Sequence, residues 1–235
     1  MNFLPEILLI SIIGGIVSVD TASGWQVMIS QPVVACPIIG LIFGDPQLGL
    51  LMGILLELPW LTNVPLGGVH GSEGNLGSVA ATGVAIHLKE LNVNTENIIV
   101  IISIMYSLII SRAGIYLVEY VRRSNLHLIH LADAAAEQGD LKKITQLNLT
   151  GLLYSFILGF ILILIGILVG ILILPPLAKF IHSDFDTAFG MAKYGLLGLG
   201  MGSIATLLIS KKTRWYLLIP FIAGISIFVL LLIFS

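Results

Sequence analysis

The sequence predicts an all-α polytopic membrane protein, with several transmembrane helices and at least one re-entrant hairpin. Three observations predict it. The chain is 57% hydrophobic and 10% charged, with a mean hydropathy of +1.05, whereas a soluble domain carries roughly 25% charge. Apolar runs at 97–121, 149–174, 189–209 and 215–234 each approach or exceed the roughly 20 residues that a helix needs to cross the hydrocarbon. Finally, the apolar run 32–58 is interrupted by Gly44, Asp45 and Pro46 and carries Glu57 near its end, and carboxylates at membrane depth are rare and usually functional.

Taken in order, residues 1–20 lack the basic start and small-residue cleavage site of a secretory signal. They read as a first membrane helix that is retained. The arms flanking Gly44-Asp45-Pro46 are about a dozen residues each, too short to cross as straight helices. A re-entrant hairpin or broken helix accounts for them, since irregular backbone survives at depth only inside protein or beside water, and transporters build sites from such discontinuous helices. The competing reading is one helix kinked at Pro46, with Asp45 capping its second part. Residues 60–88 form a second, glycine-rich broken element in which Gly67, Gly68, Gly71, Gly74 and Gly77 alternate with His70, Ser72, Glu73 and Asn75. So many glycines mean non-helical backbone or close approach of neighbouring chain.

The stretch 122–148 is the one extended polar segment, and Leu126, Ile129, Leu131 and Ala134 recur near helical spacing within it. It is expected to be an amphipathic helix at the surface. Arg122, Arg123, Lys142 and Lys143, together with Lys211, Lys212 and Arg214, place both basic loops in the cytoplasm by the positive-inside rule. The chain is thus one integral membrane domain over 1–235: a hairpin-containing half (1–121), a cytoplasmic amphipathic loop (122–148) and C-terminal helices (149–235).

Composition also excludes functions. A net charge of −2 offers no basic field for nucleic acid, and the single Cys36 reads as a buried thiol. No phosphate-binding loop, zinc spacing or serine-nucleophile motif occurs, and His127 and His130 read as solvated residues of the polar loop. No cofactor, metal or catalytic residue is expected. What remains is a set of polar side chains, Gln26, Glu57, Asn63 and Glu73, whose carboxylates and amides can exchange hydrogen bonds with a polar solute. Trp25 and Trp60 are available to stack on an apolar face of such a solute, or to sit in the interfacial aromatic belt. Gly44, Asp45, Pro46 and Gly49 are assigned to the hairpin itself, with Asp45 holding the freed N–H groups of the second arm. Asp20, closing the first helix, reads as an interfacial residue.

The string Gly40-Leu-Ile-Phe-Gly44-Asp45-Pro-Gln-Leu-Gly49, followed by Gly53, Glu57 and Asn63 and preceded by Pro32 and Ala35-Cys36, resembles the IIC membrane component of the mannose/sorbose-type sugar phosphotransferase system. The polar LADAAAEQGDL segment and the glycines at 195, 198, 200 and 202 extend the resemblance over almost the whole chain. The departures lie at Gln31, where the family usually has a basic residue, and at Pro59-Trp60, Asn63 and Gly67 to His70. They fall on the wall of the expected pocket and leave the scaffold alone. The resemblance implies a sugar translocator of the bacterial inner membrane, paired with a IID-type membrane subunit and served by soluble IIA and IIB phosphocarriers. It also implies an oligomer, a trimer of paired subunits moving by an elevator-like mechanism, with the phosphoryl chemistry carried elsewhere. The alternative is an orphan secondary transporter or facilitator for a small polar solute, using Glu57 or Asp45 for proton or cation coupling.

Overall fold

The structure, a computed structural model, describes residues 3–60 and 73–208. Asn63, most of the glycine-rich turn, the basic cluster at 211–214 and the expected span 215–234 lie outside the described residues. Among the described residues seven α-helices follow in order: α1 (Phe3–Ser18), α2 (Pro32–Ile42), α3 (Pro46–Trp60), α4 (Gly74–Glu90), α5 (Glu96–Glu137), α6 (Leu141–Phe180) and α7 (Asp186–Leu208). No strand occurs among the described residues.

Helix α4 is the centre, packed by α1, α2, α3, α5 and α6. Residues Leu76 to Ile86 on it are all buried, which its run of Gly, Ala and Ser permits because small side chains let neighbouring backbones approach. Around it Ile39, Met52, Val79, Val84, Ile163 and Ile167 form a core with at most 1% exposure. Helix α1 lies along α6 with glycines at the seam: a Cβ on Gly14 would overlap Ile163, and one on Gly159 would overlap Ser18. The outer face of α6, with Leu153, Ile157, Ile161, Ile165, Leu168 and Leu172, is exposed and aliphatic apart from Tyr154. That face suits lipid. Leu4–Thr21, Glu96–Glu137 and Leu141–Phe180 are long and apolar enough to cross a membrane, and the protein is a multi-pass membrane protein.

Residues 32–60 form two short antiparallel helices. At about 1.5 Å per residue, α2 with 11 residues and α3 with 15 are about 16 and 22 Å long, short of a hydrocarbon core of roughly 30 Å. Their contact is backbone on backbone: Gly40 and Gly49 face each other, and Gly53 faces Pro32 and Val33. A single kinked helix is excluded, because Gln31 and Trp60 end up at the same end of the pair. Cysteines placed singly at Gln31 and Trp60, in a Cys36→Ser background, are therefore expected to react with an impermeant thiol reagent from one and the same side. Labelling from opposite sides would refute the arrangement.

Two expectations change. Residues 122–148 are not one amphipathic surface helix between two spans. Helix α5 runs unbroken through 42 residues and α6 through 40, about 60 Å each, so the polar stretch is their far ends joined in a helical hairpin at Gly139. The other concerns 60–88. Its described part from Gly74 onwards is regular helix, and Gly77 and Gly83 there serve close packing: a Cβ on Gly77 would overlap Ser111 Oγ, and one on Gly83 would meet Ile10 at 2.8 Å.

The joints share one chemistry. Gly44 (φ +79°) ends α2 in the left-handed region, and Asp45 N–H returns to Gly40 C=O at 2.8 Å, the six-to-one bond of a Schellman cap. Gly139 (φ +69°) does the same for α5, with Asp140 N–H reaching Ala135 C=O at 2.9 Å. At both joints the aspartate then caps the next helix, accepting from Leu48 N–H and Lys143 N–H at 3.0 Å each.

Candidate functional site

The expected site residues separate into two ends of the bundle. At the tip end, Pro46 occupies the first position of α3, where its missing N–H costs nothing, and Asp45 Oδ1 caps the helix through Leu48. Asp45 Oδ2 meets Lys89 Nζ at 2.7 Å, and Lys89 also meets Glu96 at 2.9 Å. One ammonium thus ties the hairpin tip to the joint between α4 and α5. The cluster sits at helix ends, Lys89 in the last turn of α4 and Glu96 at the first residue of α5. Burial alone would raise the Asp45 carboxyl, but the hydrogen bonds from Lys89 and Leu48 outweigh it and hold the group below its usual range. Partial burial likewise opposes the Lys89 charge, and its two carboxylate partners overcome that and raise it.

Because the Asp45 value is depressed, its contribution to stability is lost as pH falls through it; because the Lys89 value is raised, its contribution is lost as pH rises through it. Lys89→Met is therefore expected to lower the melting temperature by about 2 °C, as fits a half-exposed pair, and to do so between about pH 4 and about pH 10. A difference from wild type that persists unchanged at lower pH would contradict this.

At the other end, the C-terminus of α1, the N-terminus of α2, the C-terminus of α3 and the N-terminus of α4 meet. Glu57, half-buried, accepts the Val33 N–H through Oε2 at 3.1 Å and so caps α2. One turn later the Trp60 indole lies over Gly74, where any Cβ would overlap the ring, and its Nε1 is buried without an acceptor among the described residues. Glu73 precedes Gly74. Its N–H goes to Ser111 C=O at 3.1 Å, and its Cβ and Cγ lie over Gly114 of α5. Trp60 and Glu73 are therefore brought together, beside an amide and a hydroxyl joined at 3.2 Å, Asn75 Nδ2 to Thr21 Oγ1. Gln26 lies at this end too, on the exposed segment between α1 and α2, while Asn63 follows Trp60 outside the described residues.

Asp20 corrects an expectation. It is not a free interfacial carboxylate but 2% exposed, accepting N–H groups of Val27 and Ser30 at 2.8 Å each. Ser111, Thr21 and Lys89 carry structural roles that no motif announced. Among the described residues no group of three or more His, Cys, Asp or Glu is placed to hold a metal ion. The arrangement offers carboxylate, amide, hydroxyl and indole groups at one end of a helix bundle. That is chemistry for holding a polyol.

Comparison with known proteins agrees with this architecture. The family model described as the PTS system sorbose-specific IIC component matches residues 4–234. The sorbose-specific EIIC component of Lacticaseibacillus casei is 32% identical over 123 residues, covering 52% of this chain and 42% of that one. The fructose permease IIC component of Bacillus subtilis is 28% identical over 124 residues (53% and 43%), and the mannose-specific EIIC component of Escherichia coli is 25% identical over 122 residues (52% and 43%). The aligned stretches thus span less than half of those relatives. Among solved structures, a membrane protein superposes with a TM-score of 0.75 at 19% identity, covering 95% of this chain and 87% of that one. A mannose transporter in complex with a microcin gives 0.61 at 20% identity with the same coverage; at such identities the likeness is one of fold. With the family match running over residues 4–234, the chain belongs to the family of sorbose-specific IIC components of the sugar phosphotransferase system.

Proposed function

We propose that this chain is the membrane subunit that binds a sugar and carries it across the bacterial plasma membrane. It works with a IID-type membrane subunit, in an oligomer, while soluble IIA and IIB proteins relay phosphate to the sugar. What supports the reading is the short hairpin α2–α3, whose open end carries Glu57 on the first turn of α2 and Trp60 over Gly74, the residue after Glu73. A hairpin crossing less than the full bilayer is able to shift as a unit against the long α5–α6 pair, and an elevator-like motion would use it so. Coupling to a cation through Asp45 is disfavoured, because that carboxylate is already taken by Leu48 and Lys89.

Burying the several hydroxyls of a sugar demands partners on more than one side, and the polar set described here lines one side. The chain purified alone is therefore expected to bind mannose, fructose or sorbose weakly or not at all, and binding is expected to appear on co-purification with a IID-type subunit. Saturable transport by this chain alone in liposomes would overturn the proposal and favour a secondary transporter or facilitator.

A further inference from the structure

We propose that Asp20 is a positioning residue for the loop that carries Trp25 and Gln26, clamping it onto the end of the bundle so that Gln26 meets the sugar; the inference rests on the function proposed above. The last turn of α1 widens into a π-helical turn over Val19–Ser23, and this turns Asp20 inward, where it is 2% exposed. A buried carboxylate needs hydrogen-bond donors. Its donors all come from the following segment, Val27 N–H on Oδ1 and Ser30 N–H on Oδ2, each at 2.8 Å, joined by the Ile29 N–H and the Ser30 hydroxyl. The charge is spent on holding backbone.

That backbone is one that side chains rarely adopt. Trp25, Gln26 and Met28 have φ of 52°, 51° and 67°, and left-handed non-glycine residues persist only where the surroundings impose them. Their own side chains do not impose it, since Trp25 is 69% exposed and Met28 68%. The other main-chain bonds of the segment are short-range, from Gln26 to Gly24 at 2.6 Å and from Gln31 to Met28 at 3.2 Å. Ser23 Oγ ties the start of the segment to Ser155 Oγ of α6, and the hold on the left-handed residues themselves comes from Asp20. On the far side of the same joint Pro32 opens α2, and Glu57 takes the Val33 N–H. Two carboxylates thus fix the segment at both ends, and the residues between them face outward at the end of the bundle where Trp60 and Glu73 lie.

The test uses the full chain co-purified with its IID-type subunit, with radiolabelled mannose, fructose and sorbose as probes. Asp20→Asn keeps one acceptor and presents a donor to the other N–H, so the helix bundle is retained while the clamp is lost. Asp20→Asn and Gln26→Ala are each expected to weaken sugar binding by at least about tenfold, as for loss of a hydrogen bond to a charged or buried group. The double variant is expected to bind no worse than either alone, because both act through one loop. In a Met28→Cys, Cys36→Ser background, Asp20→Asn should also speed maleimide labelling about tenfold, the sign of a loosened loop. An unchanged labelling rate, additive losses in the double variant, or faster labelling with unaltered affinity would each overturn the proposal. Failure of the underlying function would look different: the wild-type complex would then bind none of the three sugars.

Discussion

Glu57→Gln is expected to abolish measurable sugar uptake, a fall of about 100-fold for loss of a charged hydrogen-bond partner in a desolvated site. The protein should still insert and assemble. The structure makes this substitution informative, because it separates the cap that Glu57 makes from its proposed contact with sugar. Its Oε2 caps α2 through Val33 at 3.1 Å, and a glutamine oxygen accepts the same bond, so the hairpin keeps its joint. What the glutamine lacks is the negative charge for paired sugar hydroxyls. Glu57→Ala removes both, and should add a loss of about 1 kcal/mol in stability from the missing cap. Wild-type uptake by the glutamine variant, in proteoliposomes containing the partner subunit, would show that the carboxylate is only a cap.

The largest structural effect is expected at the glycines between α2 and α3. A Cβ on Gly49 would stand 2.7 Å from Cys36 C=O and 2.8 Å from Gly40 Cα, and one on Gly40 would stand 2.6 Å from Asp45 C=O. Those neighbours are backbone and cannot rotate away. The helices must separate, which costs about 1–3 kcal/mol for overpacking and exceeds the gain of about 1 kcal/mol in helix propensity from Gly to Ala. Gly49→Ala should therefore lower the melting temperature, and Gly49→Leu should prevent the hairpin from closing and abolish the monodisperse peak on size exclusion. Gly195→Ala is the matched control: its Cβ would meet nothing within 4 Å among the described residues, so the variant should melt at or above the wild-type temperature.

These two sets of residues show what the sequence makes legible. The tip of the hairpin announces itself because Gly44, Asp45 and Pro46 each act locally, as left-handed turn, cap and first helical residue, within a few positions of one another. The partner of Asp45 does not, since Lys89 arrives through packing of α2 against α4 and no local pattern links the two. Gly139 and Asp140 carry the same turn-and-cap chemistry as Gly44 and Asp45, yet polar surroundings and helical spacing point there to a single surface helix. The dipeptide was the better guide. In 74–88 the glycines are compatible with either broken backbone or close packing, and only the neighbours at Ser111 and Ile10 decide between them. Asp20 is hidden for another reason: its burial depends on a π-helical turn and on left-handed residues at 25, 26 and 28, and neither has a periodic signature.

Sugar binding at the end of the bundle that carries Glu57, Trp60 and Glu73, as proposed, is read directly by indole fluorescence. The chain has three tryptophans. In a Trp25→Phe, Trp215→Phe background the signal of this chain comes from Trp60, beside Gly74 at the start of α4. Titration of the complex carrying a tryptophan-free partner subunit with mannose, fructose and sorbose should give a saturable change in that fluorescence for at least one of them, and Glu57→Gln should remove it. A complex that transports sugar while the Trp60 signal stays flat, or responds equally in the glutamine variant, would contradict the account and place the sugar elsewhere.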